Sequence, residues 1–163
     1  MKPANDLNFR IIAEAELGAH LEAKRDWPNI NLFGHRLVCA DRSDIAHHIV
    51  ARVNSSERST INFINAHCVN VEKRDPDYRT ALHASDLLLP DGIGIEIAAS
   101  LTGQKLGDNL NGTDLFPELC REAEEEGGGI FLLGGEPGVA HAAAGWAANR
   151  YPALRIAGAQ NGF

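Results

Sequence analysis

Asp86-Leu87-Leu88-Leu89-Pro90-Asp91-Gly92-Ile93-Gly94-Ile95 is the stretch from which the fold of this chain can be inferred. Leu87 to Leu89 form a short continuous apolar run, which is typical of a strand buried on both faces of a parallel sheet. Pro90 ends the run, and Gly92 and Gly94 permit a sharp backbone turn. The stretch therefore predicts a strand, a glycine turn and the start of a helix.

The helix after this turn is predicted to be mostly buried. Ile93, Ile97 and Leu101 recur at helical spacing, with Ala98 and Ala99 beside them. Such spacing places the three large side chains on one face. We expect that face to pack inward.

Asp91 lies between the carboxyl end of the predicted strand and the amino end of the helix. Open α/β sheets bind their ligands at this position. A carboxylate there can instead cap the helix, because it accepts backbone N–H bonds and opposes the helix dipole. Two glycines within the next three residues favour close approach of a ligand, but the residues alone leave both readings open.

Composition indicates a globular protein of one domain. The chain has 163 residues, of which 44% are hydrophobic and 23% charged, so it is long enough to bury a core of its own. The net charge of -7 argues against a broad nucleic-acid surface, because phosphate binding depends on clustered Lys and Arg. The three cysteines are far apart and odd in number, which predicts reduced thiols and a cytoplasmic setting.

Residues 1 to 30 are predicted to form an N-terminal extension that contains an amphipathic helix between Phe9 and Ala19. Charged residues interrupt its apolar positions, so neither a signal peptide nor a membrane span is expected, and any membrane contact would be peripheral. The core is predicted to occupy residues 31 to 163. Its first segment, Asn31 to Ala40, has the apolar pattern of short strands or a hairpin.

Ser43 is predicted to cap the first helix of the core, whose apolar stripe includes Ile45 and Val53. His47 and His48 fall outside that stripe. Adjacent helical residues point about 100° apart and cannot easily share one metal ion, so we expect both histidines to be solvated.

Asn65 follows the strand-like run from Thr60 and precedes a short helix that begins at Ala66. Like Asp91, it stands at the carboxyl end of a predicted strand. Its amide could enter the same crevice and hydrogen-bond a sugar or a nucleotide. Alternatively, the side chain only ties down its own turn.

Asp75-Pro76-Asp77 matches the Asp-x-Asp pattern with which many nucleotide-sugar enzymes hold a divalent metal. The same residues suit a helix start, because Asp75 is an apt N-cap, Pro76 fits the first helical position and Asp77 complements the dipole. We favour the helix start. No metal site is predicted.

A second strand-glycine-helix unit lies near the end of the chain. Ile130 to Leu133 are predicted to form a buried strand, and Gly134 to Gly138 lead into a helix with Val139, Trp146 and Ala147 inward. A helix amino end after a glycine loop can cradle a phosphate. Alternatively, the glycines only allow the backbone to turn between the strand and the helix. A last strand is predicted from Leu154 to Ala157.

Taken together, the ordered motifs of residues 30 to 163 resemble the WecG/TagA/CpsF family of glycosyltransferases (glycosyltransferase family 26). The motifs are Asn65-Ala66-His67 followed by Asp75-Pro76, Leu89 to Gly94, Asn111-Gly112-Thr113-Asp114-Leu115, Phe131 to Ala140, and Tyr151-Pro152 to Gly162-Phe163. The resemblance implies a Rossmann-like α/β fold, with a sheet of mainly parallel strands and helices on both faces. It implies inverting transfer of a sugar from a UDP donor to a lipid-diphosphate-linked acceptor.

The same resemblance assigns roles to individual residues. Asp91 matches the general base that takes the proton of the acceptor hydroxyl. Substrate-binding positions are implied at Asn65, Gly92, Gly94, Asn111, Thr113 and Gln160, and nucleotide-binding positions at Gly134, Gly135 and Gly138. The donor is expected to carry N-acetylmannosamine, N-acetylmannosaminuronic acid or glucose, and no metal or other cofactor is expected. The products would serve the synthesis of teichoic acid, enterobacterial common antigen or exopolysaccharide at the inner face of the cell membrane. Peripheral contact with the membrane and a homo-oligomer are both compatible with the family.

The chain departs from the family pattern in three places. Phe63 stands where many members have Thr, and Asp108-Asn109 stands where many have Arg, which leaves the choice of donor open. Members also continue beyond the glycine-aromatic pair with a strand and a basic tail, and this chain is expected to lack that part.

Two other functions remain compatible with a glycine loop on a parallel sheet. One is a non-catalytic nucleotide-binding protein. The other is an NAD-dependent oxidoreductase, which is disfavoured because no third fingerprint glycine follows Gly134 and no acid stands roughly 20 residues further on.

Overall fold

The structure, a computed structural model, describes residues 27–55 and 58–163. The amphipathic helix expected between Phe9 and Ala19 lies outside these residues. Within the described ranges the chain forms six strands and six helices. In chain order they are β1 (Asn29–Leu32), β2 (His35–Val38), α1 (Arg42–Asn54), β3 (Ile61–Ile64), α2 (Ala66–Glu72), α3 (Pro76–His83), β4 (Leu87–Pro90), α4 (Ile93–Leu101), α5 (Gly112–Glu125), β5 (Gly129–Leu133), α6 (Val139–Arg150) and β6 (Arg155–Gln160).

The strands pair two at a time in the described part of the chain. β1 and β2 form the predicted hairpin, whose turn residues Phe33 and Gly34 have φ values of 54° and 82°. Positive φ at both turn residues suits the twist of a two-residue hairpin. β3 pairs with β4, and β5 pairs with β6, both in parallel. The predicted Rossmann-like α/β class is confirmed.

Helices cover both faces of the β3–β4 pair. Ile64 and Leu88 point to the face on which α2 and α4 pack. Leu87 and Leu89 point to the opposite face, where α1 and α5 pack. The apolar run of β4 is buried throughout, as predicted for a strand with helices on either side.

The predicted orientation of α4 is wrong. Ile93, Ile97 and Leu101 are 68%, 54% and 83% exposed, whereas Ile95 and Ala99 are buried in the core. α4 is apolar on nearly every side, so residue spacing could not select the buried face. Packing of Ile95 against Ile64 and Leu88 selects it.

β5 is covered on one face only among the described residues, so the prediction of a buried strand is wrong here. Ile130 packs with α5 and α6, while Phe131 and Leu133 on the other face are exposed. In α6, Ala147 is buried as predicted, but Val139 and Trp146 are exposed.

Several local expectations also need correction. α1 begins after Asp41 and not after Ser43, and its Val53 is exposed. His47 is not merely solvated, because its Nδ1 lies 2.5 Å from Oε1 of the mostly buried Glu122. β6 runs from Arg155 to Gln160, beyond the predicted limit at Ala157.

Two further observations concern the cysteines and the length of the helices. The cysteines Cys39, Cys68 and Cys120 are free thiols, as predicted. None of the helices in the described ranges has both the length and the apolar character needed to cross a bilayer.

Candidate active site

Asn65 and Asp91 lie side by side because β3 and β4 are parallel and in register. Ile64 pairs with Pro90 at the carboxyl ends of these strands, so the next residue of each strand reaches the same edge. The backbone N–H of Asp91 donates to the carbonyl of Ile64 at 2.9 Å. The side-chain Nδ2 of Asn65 donates to Oδ2 of Asp91 at 3.3 Å. The sequence left this contact open as one of two alternatives for Asn65, and the structure shows it.

Asn65 also ties down its own turn. Its Oδ1 accepts hydrogen bonds from the backbone N–H groups of His67 at 3.0 Å and Cys68 at 3.1 Å, which makes Asn65 the N-cap of α2. Asn65 therefore both ties down its own turn and reaches the strand edge beside Asp91. Because the cap fixes the oxygen, the amide nitrogen is directed toward Asp91.

Asp91 does not cap α4. The N-cap is Gly92, with a φ of 83°, and no side-chain bond caps this helix. The carboxylate of Asp91 is half-buried and receives the Asn65 amide. Asp91 is thus partly exposed at the strand edge, and the capping alternative is wrong.

The glycines after Asp91 contribute backbone geometry. Gly92 adopts a φ that L side chains rarely adopt, and its N–H lies 3.4 Å from Oδ1 of Asn109. A Cβ at Gly94 would stand 3.2 Å from the Cβ of Ala66, so this glycine lets α4 approach α2 closely. Asn109, where the resemblance expects Arg, here supports the turn that carries Asp91.

The start of α5 lies at the same edge. Asn111 caps α5 by accepting the N–H of Asp114 at 2.8 Å, and the helix begins at Gly112. Thr113 itself is exposed in the first turn. The ring of Phe63 would lie 3.6 Å from a Cβ at Gly112, so the aromatic residue that replaces the family's Thr packs beneath this helix start.

The loops after β5 and β6 form a second cluster. Gly134, Gly135 and Gly138 have φ values of 129°, 72° and 95°. The N–H of Gly134 donates to the carbonyl of Gln160, and the N–H of Gly162 donates to the carbonyl of Gly135, each at 3.0 Å. These bonds hold the glycine loop against the end of β6.

α6 begins beside this cluster without a side-chain cap. Its N-cap is Gly138, and α6 has 12 residues. Backbone N–H groups and the dipole at such an end attract anions. Among the described residues, the hydrogen bonds that order the glycine loop run to the β6 end and not to Asn65 or Asp91.

The Asp75-Pro76-Asp77 segment starts a helix, as favoured. Oδ1 of Asp75 accepts the N–H of Tyr78 at 2.9 Å, and Pro76 occupies the first helical position. In the part of the chain that the structure describes, no three His, Cys, Asp or Glu side chains are grouped so that they could hold a metal ion.

Sequence reasoning missed a buried polar pair behind the site. Nε2 of His35 lies 2.5 Å from Oε2 of Glu72, and the His35 ring stacks on His83 with 4.4 Å between centroids. Glu72 is the last residue of α2, the helix that Asn65 caps. The pair therefore fixes the far end of that helix to β2. No local signal could have found it, since its members are 37 residues apart.

Tyr78 and Cys68 form a further contact between α3 and α2. The hydrogen bond with Cys68, followed by burial, raises the pKa of Tyr78 to about 12. Tyr78 therefore stays a neutral phenol and packs against the cluster that contains Val69. Its role is to position α2.

The chain is similar to known proteins over most of its length. The model of the glycosyl transferase WecG/TagA/CpsF family matches residues 30–163. The chain is 31% identical over 132 residues to an N-acetylglucosaminyldiphosphoundecaprenol N-acetyl-beta-D-mannosaminyltransferase from Bacillus subtilis, with 71% of this chain and 52% of the relative covered. A protein of the same name from Bacillus spizizenii is 30% identical over 90 residues, with 55% of this chain and 35% of the relative covered. The chain thus spans about half the length of the first of these relatives, and less of the second.

Proposed function

The chain belongs to the WecG/TagA/CpsF family of glycosyltransferases, and on this premise we propose that it catalyses inverting transfer of a sugar from a UDP donor to a lipid-diphosphate-linked acceptor. The product would enter cell-surface polysaccharide biosynthesis at the cytoplasmic face of the membrane. The paired side chains of Asn65 and Asp91 carry this proposal. They place an accessible carboxylate, oriented by an amide, at the ligand-binding edge of a parallel strand pair.

Asp91 acts as the general base. The acceptor hydroxyl loses its proton to the carboxylate as its oxygen attacks the anomeric carbon of the donor sugar. The new C–O bond forms while the bond from the anomeric carbon to the diphosphate oxygen breaks, and UDP leaves with that electron pair. A single displacement needs one base and no covalent intermediate.

Asn65 positions the base. Its amide donates to Oδ2 of Asp91 and leaves Oδ1 of the carboxylate for the incoming hydroxyl. Since the oxygen of Asn65 is held by the α2 backbone, the amide cannot rotate without breaking the helix cap. The reactive geometry is thus built into the fold before substrate binds.

The diphosphate of the donor would bind at the Gly134 to Gly138 loop. Backbone N–H groups and the amino end of α6 supply positive potential there, which favours the charge that develops on departing UDP. Gln160, the N-cap residue Asn111 and Thr113 in the first turn of α5 would contact the sugar. No metal is assigned to the reaction.

The first donor to test is UDP-N-acetylmannosamine, with N-acetylglucosaminyl-diphospho-lipid as acceptor, because the names of both relatives specify this transfer. Their names also specify a β-linked product, which inversion at an α-linked nucleotide sugar would give. Phe63 and Asn109 stand where the family pattern differs, so UDP-N-acetylmannosaminuronic acid and UDP-glucose belong in the same panel.

The decisive assay measures product formation and UDP release with each donor and acceptor, with the Asp91→Asn variant beside the unchanged chain. Transfer that Asp91→Asn leaves intact would remove Asp91 from the base role. UDP binding without turnover under any acceptor would favour a non-catalytic nucleotide-binding protein. Binding of NADH in place of UDP would favour an oxidoreductase.

A further inference from the structure

α1 packs along α5 in the same direction. Nδ1 of His47 lies 2.5 Å from Oε1 of Glu122, and Nδ2 of Asn54 donates to the backbone carbonyl of Glu126 at 3.2 Å. Because the partners advance together along both helices, α1 and α5 are parallel. Their amino ends therefore lie at the same end of the pair, where α5 begins beside the turn that follows Asp91.

Arg42, the first residue of α1, joins three segments at this end of the helix pair. Its Nε lies 4.0 Å from Oδ2 of Asp108, and its Nη1 lies 3.8 Å from Oδ2 of Asp114. Its backbone N–H also donates to Oδ2 of Asp108 at 3.1 Å. Asp108 belongs to the loop of residues 102–111 between α4 and α5, and Asp114 belongs to the first turn of α5. One guanidinium thus connects α1 with that loop and with the start of α5.

Asp114 extends this restraint to Asn111. Nδ2 of Asn111 donates to Oδ2 of Asp114 at 2.8 Å, while Oδ1 of Asn111 accepts the backbone N–H of Asp114, also at 2.8 Å. The amide of Asn111 is therefore oriented by a carboxylate that is itself paired with Arg42. Thr113 is exposed in the same helical turn. The contacts of Arg42 thus determine how the start of α5 presents Asn111 and Thr113.

The exposure of these charged groups limits what they contribute to stability. The side chain of Arg42 is 34% exposed, and those of Asp108 and Asp114 are each 46% exposed. Ion pairs with this much exposure add little to the free energy of unfolding, because water and salt screen them. Removal of the guanidinium should leave the fold intact, but it leaves two carboxylates that repel each other. The expected result is a local displacement at the start of α5.

We propose that Arg42 is a positioning residue for binding of the sugar donor. It acts through Asp114 on Asn111 and Thr113, which would contact the sugar in the proposed function on which this inference rests. The base is held separately, because the N–H of Asp91 donates to the carbonyl of Ile64 and its carboxylate accepts the amide of Asn65. Arg42 therefore sets the affinity for the donor and not the rate of the chemical step.

Steady-state kinetics of Arg42→Met with UDP-N-acetylmannosamine test the proposal. We expect the KM for this donor to rise about tenfold, as for the loss of one well-placed polar contact, while kcat changes less than about twofold. The matched control is Arg121→Met, which removes an arginine that is paired with Glu118 and Glu125 further along α5. Its KM should equal that of the unchanged chain.

Two further variants separate positioning from a general weakening of the fold. Asp114→Asn removes the acid through which Arg42 acts, so adding it to Arg42→Met should raise the KM no further than the larger single effect. Arg42→Lys restores the charge without the planar fork and should recover part of the donor affinity. In calorimetry, UDP alone should bind Arg42→Met as it binds the unchanged chain, because UDP lacks the sugar.

Two outcomes would overturn the inference and leave the transferase intact. One is a KM for Arg42→Met that equals the KM for Arg121→Met. The other is a parallel loss of kcat, UDP binding and melting temperature in Arg42→Met, because such a loss indicates a structural role alone.

Absence of turnover by the unchanged chain under any acceptor would contradict the transferase. Calorimetry with UDP-N-acetylmannosamine then decides the role of Arg42. Weaker binding by Arg42→Met than by Arg121→Met would support the positioning role, and equal binding would overturn it. Absence of donor binding by the unchanged chain would contradict the proposed function and this inference together.

Discussion

The side chain of Asn65 bridges two neighbouring strand ends, because its oxygen caps α2 and its amide nitrogen lies 3.3 Å from Oδ2 of Asp91. A residue that stabilises a helix thus also orients the candidate base. Stability and activity are therefore coupled at this position, and variants must be chosen to separate them.

Asp91→Asn is expected to lower the rate of sugar transfer about 100-fold or more, since the amide cannot accept the acceptor proton. The fold should persist, because Asp91 caps no helix and is only half-buried. Initial rates and UDP affinity should be measured together. Asp77→Asn, an exposed acid in the first turn of α3, is the control and should retain full turnover.

Asn65→Asp separates capping from positioning. An aspartate caps a helix about as well as an asparagine, but the donor to Asp91 is replaced by a second carboxylate. Any loss of melting temperature should therefore come from repulsion between the two carboxylates and should diminish at acidic pH. We expect a severe loss of turnover and a shifted pH profile. Asn65→Ala should lose about 1 kcal/mol of unfolding free energy as well. A fully active Asn65→Asp variant would show that the amide contributes nothing to Asp91.

Gly135→Ala should weaken both the fold and UDP binding. Gly135 has a φ of 72°, and a Cβ there would stand 3.0 Å from Val139 at the start of α6. We expect a loss of about 1 kcal/mol or more in unfolding free energy and weaker binding of UDP in calorimetry. The control is Gly145→Ala within α6, where nothing lies within 4 Å of the new Cβ. This variant should be more stable than the unchanged chain and should bind UDP normally.

The His47–Glu122 pair should make stability depend on pH. The hydrogen bond that His47 donates to the carboxylate of Glu122 raises the pKa of His47 above its usual 6.5. A raised folded-state pKa gives stability that is fully present below the unfolded pKa and is lost as pH rises through the folded pKa. Urea midpoints should therefore decline above pH 6.5 as His47 loses its proton. His47→Gln should remove this part of the dependence, whereas His141→Gln on α6 should leave it unchanged.

Glu72→Leu should destabilise the chain strongly, because it leaves buried His35 without its partner at Nε2. His35 is 1% and Glu72 8% exposed, and leaving a buried polar group without its hydrogen-bond partner costs about 1–3 kcal/mol. The double variant with His35→Leu should recover part of this loss. Urea unfolding measures the loss in the single variant and the recovery in the double variant. Glu118→Leu, which removes a surface ion pair with Arg121, should cost less than about 1 kcal/mol.

Reasoning from residues placed Asn65 and Asp91 at one strand edge, and the two side chains are in contact there. Leu87 to Leu89 indicated a buried parallel strand, and the carboxyl ends of parallel neighbours meet, so Asn65 and Asp91 were expected together. The cap at Asp75 also followed from residue type. In contrast, the buried face of α4 and the exposed face of β5 could not be predicted, since apolar residues occupy both sides of these elements.

Strand runs, helix caps and glycine turns follow from the residues alone, because each depends on backbone preferences within a few positions of the chain. The buried His35–Glu72 pair and the choice of Ile95 over Ile97 as the core residue required tertiary packing. They depend on contacts between residues far apart in the chain. A local pattern does not determine such contacts, because it is compatible with more than one partner.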